Sequence, residues 1–226
     1  MNDNSLITQA YHLLNERYGD LNWWPADTPY EMMLGAILTQ NTSWANVEKS
    51  IANLKNCGAL NPQAVLAMDK ETLSQLIRPS GLFNQKSGYI ISLTQWYISH
   101  SYGLSMETLR RQLLALKGIG PETADCILLY AFGLPSFVID SYTMRLCKRL
   151  GLAIEGYSAH KAFFESHLPI DVSIYNQYHA LIVQNAKEYC KKKPICLGQP
   201  LDCPLVSVCY LHASKTKNYS AEQYSF

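Results

Sequence analysis

Apolar residues recur along this chain at intervals of three and four, the period that lines one face of a helix. Ile7, Tyr11, Leu14 and Tyr18 form one stripe, Met33, Ile37 and Leu38 a second, and Val47, Ile51 and Leu54 a third. Strand-like character is confined to SFVID, Ser136 to Asp140, which is too isolated to build a sheet. Breakers cut the helices into short pieces: Pro25 and Pro29, Asn61-Pro62, Pro79-Ser80-Gly81, Gly118 with Gly120, and Gly133-Leu134-Pro135. The pattern predicts an all-α protein of about ten elements. There is no internal repeat, and the polar SKTKNYSAEQYSF stretch reads as a loose tail.

With 226 residues, 48% of them hydrophobic, the chain can bury a core in one large domain or two modest ones. No window reaches the apolar length of a membrane span, and MNDNSLITQAYHLL lacks the layout of a secretion signal, so the expected location is the cytoplasm, with no membrane partner. A net charge of +1 leaves a polyanionic partner open, because binding depends on where charge sits. Basic residues gather at Arg110, Arg111, Lys117, Arg145, Lys148 and Arg149 and again at Lys191, Lys192 and Lys193. Taken alone, these clusters read as solvated helix faces.

The stretch LKGIGPETAD, Leu116 to Asp125, changes that reading. Gly118 and Gly120 permit a tight backbone and keep side chains away from a large ligand. Pro121 suits the first position of a helix, and the amides at such a helix start form an anion site that a phosphate would fill. Many helix-helix turns share this form. The order of segments beyond the turn is more specific: an apolar helix, then AFGLPSFVIDSYTMRLCKRLG, then a C-terminal cluster of cysteines.

In hairpin, aspartate and cysteine cluster, over nearly its whole length, the sequence resembles the helix-hairpin-helix DNA glycosylase superfamily typified by endonuclease III. The resemblance implies a base excision repair enzyme that binds damaged double-stranded DNA, flips a nucleotide out of the duplex and cuts its N-glycosidic bond. Bifunctional members carry a lysine nucleophile in the hairpin. Here that position is Glu122, which cannot form an imine, so a monofunctional glycosylase without strong strand-cleaving lyase activity is expected.

Asp140, in VIDSY, matches the superfamily's catalytic aspartate. A carboxylate there stabilises the positive charge that builds on the sugar and can position water. As the residue before an amphipathic helix it also reads as an N-cap, and the two roles can coexist. A narrower likeness comes from NWWP and LTQNTSW together with IRPSGLFNQK, which resemble the bacterial 3-methyladenine DNA glycosylases of the endonuclease III fold. An adenine alkylated at N3 is a cation, and aromatic faces attract it by stacking and cation-π contact. The resemblance places Trp23 or Trp24 opposite Trp44 as a base pocket, with Pro25 closing an edge; the plainer reading of these tryptophans is core packing. Gln40 and Leu82 match the residues that in endonuclease III relatives enter the duplex when the base leaves, although each also reads as an ordinary helix-end or turn residue.

Of seven cysteines, Cys190, Cys196, Cys203 and Cys209 crowd into one segment with spacing C-x5-C-x6-C-x5-C. Four thiolates this close suit an iron-sulfur cluster or a tetrahedral zinc. The resemblance implies a [4Fe-4S] cluster with those four ligands, zinc being the alternative, although the family's usual middle interval is shorter. Its role would be to anchor the loop of Lys191, Lys192 and Lys193 against DNA phosphates.

The implied architecture is two helical domains, with the active site between them. A six-helix domain at 22–135 would carry the helix-hairpin-helix motif. Residues 1–21 with 136–210 would form the second, with the four-cysteine metal-cluster loop, and 211–226 the tail. A monomer is expected. Two other readings stay open at this point: a glycosylase for oxidised or deaminated bases, and a non-catalytic helix-hairpin-helix DNA-binding protein. Asp140 argues against the second and the tryptophans against the first.

Overall fold

A computed structural model describes residues 3–100, 103–195 and 202–210, and among these every regular element is helical. The helices are α1 (Asp3–Tyr18), α2 (Pro29–Leu38), α3 (Trp44–Asn56), α4 (Pro62–Ala67), α5 (Lys70–Leu76), α6 (Phe83–Ser99), α7 (Met106–Ala115), α8 (Pro121–Cys126), α9 (Ser141–Leu150), α10 (Tyr157–His167) and α11 (Val172–Glu188). A 3-10 turn, Arg78–Ser80, precedes α6, and a π turn, Ile127–Ala131, prolongs α8. SFVID forms no strand, as its isolation predicts.

Helix starts follow the capping residues of the sequence. Thr28, Asn61, Asp69, Ser105, Asp140 and Asp171 each accept a hydrogen bond from the backbone amide three residues on, which satisfies a donor the helix itself leaves over. Pro29, Pro62 and Pro121 stand at first helical positions, where a missing N–H costs nothing.

The chain divides into two compact units. One runs from Trp24 to Ser136. Its centre is α2, apolar on every face and buried from Tyr30 to Leu38, with α3, α6, α8 and the π turn packed round it. The other unit joins the residues up to Trp23 with those from Phe137 onward. There α11 packs against α1 and α9, and α10 against α1. Its aromatic core stacks Phe137 on Phe164 at 4.4 Å, with Tyr175 and Tyr178 edge-on to Phe137. The buried Tyr178 hydroxyl donates to the Ile7 carbonyl at 2.9 Å, so its polar end is satisfied.

Candidate functional site

Between α7 and α8 the two hairpin glycines serve different needs. Gly118 sits at φ +87, and a Cβ built on it would lie 2.3 Å from carbons of the Tyr89 ring. Only glycine meets both demands. Gly120 has an ordinary φ of −90 and open space where a Cβ would go. The fold therefore leaves Gly120 unconstrained, and its bare backbone favours whatever approaches from outside. Pro121 and Glu122 are exposed at the start of α8, and Lys117 is exposed on the turn.

Gln40, just past the end of α2, spends its amide on this hairpin. Its Nε2 donates to the Gly118 carbonyl and to Thr123 Oγ1, both at 3.0 Å. Asn41 comes next at φ 55, and Leu82, the residue before α6, is at φ 48 with 53% of its surface exposed. A left-handed conformation costs a residue such as leucine about 1–2 kcal/mol, so Leu82 is held there by its surroundings, whereas asparagine tolerates it. Behind them lies Lys86, 1% exposed, whose ammonium donates to the carbonyls of Leu38, Gln40 and Ser80, each at 2.8 Å. Burial pushes its pKa down to about 8. The three carbonyls favour the charged form.

Trp24, at φ 75, meets Trp44 edge to face, with ring centroids 5.5 Å apart and planes at 77°. The two rings are thus not parallel walls with a slot between them. Trp24 also lies against Tyr130 at 5.2 Å and 32°, and its indole passes close over Gly35, where a Cβ would be 3.4 Å from Nε1. Tyr130 escaped the sequence reading. It belongs to the π turn, where one wider turn resets which side chains face Trp24, a feature with no local sequence signature. Trp44 donates from Nε1 to Glu48 at 3.1 Å, and Pro25 is exposed. Trp23 lies in the other unit, its ring under Lys187 Nζ at 5.0 Å.

Asp140 is 9% exposed and caps α9. Its Oδ1 accepts from the Thr143 amide at 2.7 Å and from Thr143 Oγ1 at 2.9 Å. His179 Nε2, on α11, stands 3.6 Å from the other oxygen, Oδ2. Burial alone would raise the carboxyl's pKa, but His179 and the Thr143 hydrogen bonds outweigh it and hold the group below the usual carboxylate value. One oxygen is therefore fully engaged in structure and the group stays ionised at neutral pH. His179 is the second residue the sequence reading missed. Its only sequence signal is a polar residue inside the apolar run of α11, the commonest kind of buried histidine.

Three of the four clustered cysteines border one cavity. Cys190, Cys203 and Cys209 line one cavity of about 10 Å³ with Leu146, Leu150, Leu205, Val206 and Arg149. Arg149, itself buried on α9, donates to Cys190 Sγ at 2.7 Å and to the carbonyls of Lys191 and Lys192, and Arg145 donates to the Cys190 carbonyl at 2.8 Å. These contacts hold the backbone of the basic loop, and the side chains of Lys191, Lys192 and Lys193 are exposed. Soft thiols in apolar surroundings suit an iron-sulfur cluster or zinc. Cys196 lies outside the described residues, and among the described ones no three metal-ligating groups come close enough to hold an ion.

Among the described residues, an all-helical fold thus carries a glycine hairpin leading into a helix and a buried aspartate capping a later one. The profile of the HhH-GPD superfamily of base excision DNA repair proteins matches residues 34–169, more than half of the chain. The chain belongs to that superfamily and is a base excision repair DNA glycosylase. It is 44% identical over 215 residues to a Methanocaldococcus jannaschii protein named as a candidate DNA repair glycosylase, covering 90% of this chain and 96% of that one. Among solved structures it resembles the Helicobacter pylori 3-methyladenine DNA glycosylase bound to 1,N6-ethenoadenine, at 30% identity and TM-score 0.71, over 83% of this chain and 98% of that chain. A non-covalent endonuclease III–DNA complex shares the fold at TM-score 0.81 and 22% identity, over 96% and 100%.

Proposed function

We propose that this glycosylase is monofunctional and removes alkylated purines such as 3-methyladenine from duplex DNA. The observation that carries the substrate class is the cluster of Trp24, Trp44 and Tyr130. Electron-rich aromatic faces suit a flat cation better than a neutral lesion whose edges must be read. The Helicobacter pylori relative, a 3-methyladenine DNA glycosylase bound to an adenine adduct, supports the same direction.

Residues of this chain account for each part of the reaction. Backbone amides at Gly118 and Gly120, with Lys191, Lys192 and Lys193, hold phosphates. Gln40 and Leu82 enter the duplex as the nucleotide leaves, and Gln40 exchanges its bonds to Gly118 and Thr123 for partners on DNA. The flipped base stacks on the tryptophan cluster, with Pro25 at its border. The bond from C1′ to the base nitrogen then breaks, its electron pair leaving with the base. That pair neutralises the cationic ring, so the base departs without needing a proton. Asp140, through Oδ2, stabilises the positive charge left on the sugar. Water adds to C1′ and gives up a proton to Asp140 or to solvent. With Glu122 in the hairpin no amine attacks there, and the product is an abasic site.

Cys190, Cys196, Cys203 and Cys209 would hold a [4Fe-4S] cluster, with zinc the alternative, and its contribution is to fix the basic loop. Protein that is colourless near 400 nm, about where iron-sulfur thiolates absorb, and that carries zinc would replace the cluster with the metal.

The test is excision from duplexes holding alkylated, deaminated and oxidised bases, with alkali applied afterwards to separate base loss from strand cleavage. Methylated purine should be released and strands should break only after alkali. Release of oxidised pyrimidine without methylated purine overturns the substrate class. A borohydride-trapped adduct overturns the monofunctional chemistry.

A further inference from the structure

A buried lysine ordinarily pairs with a carboxylate, because removing an ammonium from water is costly. Lys86 has no such partner among the described residues. Its three hydrogen bonds all go to main-chain carbonyls, and these come from two separate stretches of chain. Leu38 and Gln40 belong to the end of α2 and the turn after it, and Ser80 to the 3-10 turn before α6. A methionine would fill the same volume without the desolvation cost. What methionine cannot do is draw three carbonyls from two segments onto one point.

Both segments turn sharply just past that point, and the second needs such a hold. Immediately beyond the two anchoring points, the chain enters the left-handed region, at Asn41 with φ 55 after Gln40, a residue that tolerates it, and at Leu82 with φ 48 after Ser80 and Gly81, a residue that resists it. Lys86 is one helical turn past Leu82, and its own amide donates to the Leu82 carbonyl at 2.9 Å. The same residue thus fastens Leu82 through its backbone and both turns through its side chain. The ammonium also sits at the C-terminal end of α2, where the helix dipole favours a cation.

We infer that Lys86 is a positioning residue for base flipping: its ammonium locks the turn bearing Gln40 to the turn bearing Leu82, so that both enter the duplex as one rigid unit. The inference rests on the reading that Gln40 and Leu82 enter the duplex. Lys86 touches neither base nor sugar, and its effect passes through the geometry of those two side chains.

The experiment uses the full chain and a lesion-independent probe, a duplex with a tetrahydrofuran abasic analogue and 2-aminopurine as its neighbour, whose fluorescence rises when the stack is opened. Gln40→Ala/Leu82→Ala should cut the fluorescence rise severalfold. Lys86→Met should cut it by a similar factor, and Lys86→Gln, which can still donate to two carbonyls, should fall between Met and wild type. Adding Lys86→Met to the Gln40→Ala/Leu82→Ala protein should change nothing further, because residues acting through one element are not additive. A general loss of structure would instead add to the double variant's defect and would also weaken binding to undamaged duplex.

If Gln40→Ala/Leu82→Ala behaves as wild type, the duplex-entry reading fails and the inference falls with it. If that variant is impaired but Lys86→Met is wild type, or its defect adds in full, the inference alone is overturned. Should Lys86→Met not fold, the same comparisons are made with Lys86→Gln, with the same outcomes deciding.

Discussion

Replacing Gly118 by alanine separates what the hairpin needs for its own shape from what it needs for DNA. The geometry imposes two costs. Alanine at φ +87 is left-handed, at about 1–2 kcal/mol. Its methyl carbon would also stand 2.3 Å from Tyr89 carbons, well inside contact, so the ring must move. Overpacking of this kind costs about 1–3 kcal/mol. The sum is roughly 2–5 kcal/mol, and for a chain of this size each kcal/mol lowers Tm by about 2–4 °C. Gly118→Ala should therefore melt roughly 4–20 °C below wild type in a thermal scan monitored by circular dichroism. Removing the Tyr89 ring in a Gly118→Ala/Tyr89→Ala protein should show non-additivity, since the clash no longer exists there. Gly120→Ala meets open space at φ −90, so its Tm should stay within a degree or two, while affinity for duplex DNA falls because a methyl now stands where a phosphate approaches. Gly118→Ala melting with wild type would refute the steric argument. Gly120→Ala binding DNA with wild-type affinity would refute the phosphate argument and leave the first intact.

Asp140→Asn should abolish excision while lesion-duplex binding and most of the stability survive, because asparagine also caps helices and can accept the Thr143 amide; an active Asp140→Asn protein moves the chemistry elsewhere. The same carboxyl sits below its usual pKa, so it contributes stability above its unfolded pKa of about 3.9, and that contribution is lost as pH falls through the lower folded value. Thermal scans across that acid range should show a shallower pH dependence for Asp140→Asn than for wild type. Changing Lys191, Lys192 and Lys193 together to alanine should reduce the slope of log affinity against log salt by up to about 2.7, from roughly 0.9 per phosphate contact. Arg149→Leu strips the part-buried acceptors on Cys190, Lys191 and Lys192 of their donor and should lower Tm as well as DNA affinity, since each lost hydrogen bond is worth about 0.5–1.5 kcal/mol.

Local chemistry was readable along the chain wherever the cause is local. Helical periodicity, the prolines at first helical positions, the capping aspartate and the glycine turn all act over three or four residues, so Asp140 and Pro121 announced their helices directly. The hairpin with an aspartate after it, at a spacing a superfamily keeps, was equally visible, and both lie within the matched residues 34–169. Distances between segments far apart in sequence were not readable, because a spacing says nothing of which way a side chain turns. Tertiary packing alone decided that Trp24 meets Trp44 edge-on and not face to face, that the π turn brings up Tyr130, and that His179 stands at the carboxylate of Asp140. It alone made Lys86, one more polar residue on α6 in the sequence, a buried cation joining two turns. The physical reason is one of range: caps and periodicity are settled by bonds within a helical turn, whereas burial and ring geometry are settled by what the rest of the fold leaves room for.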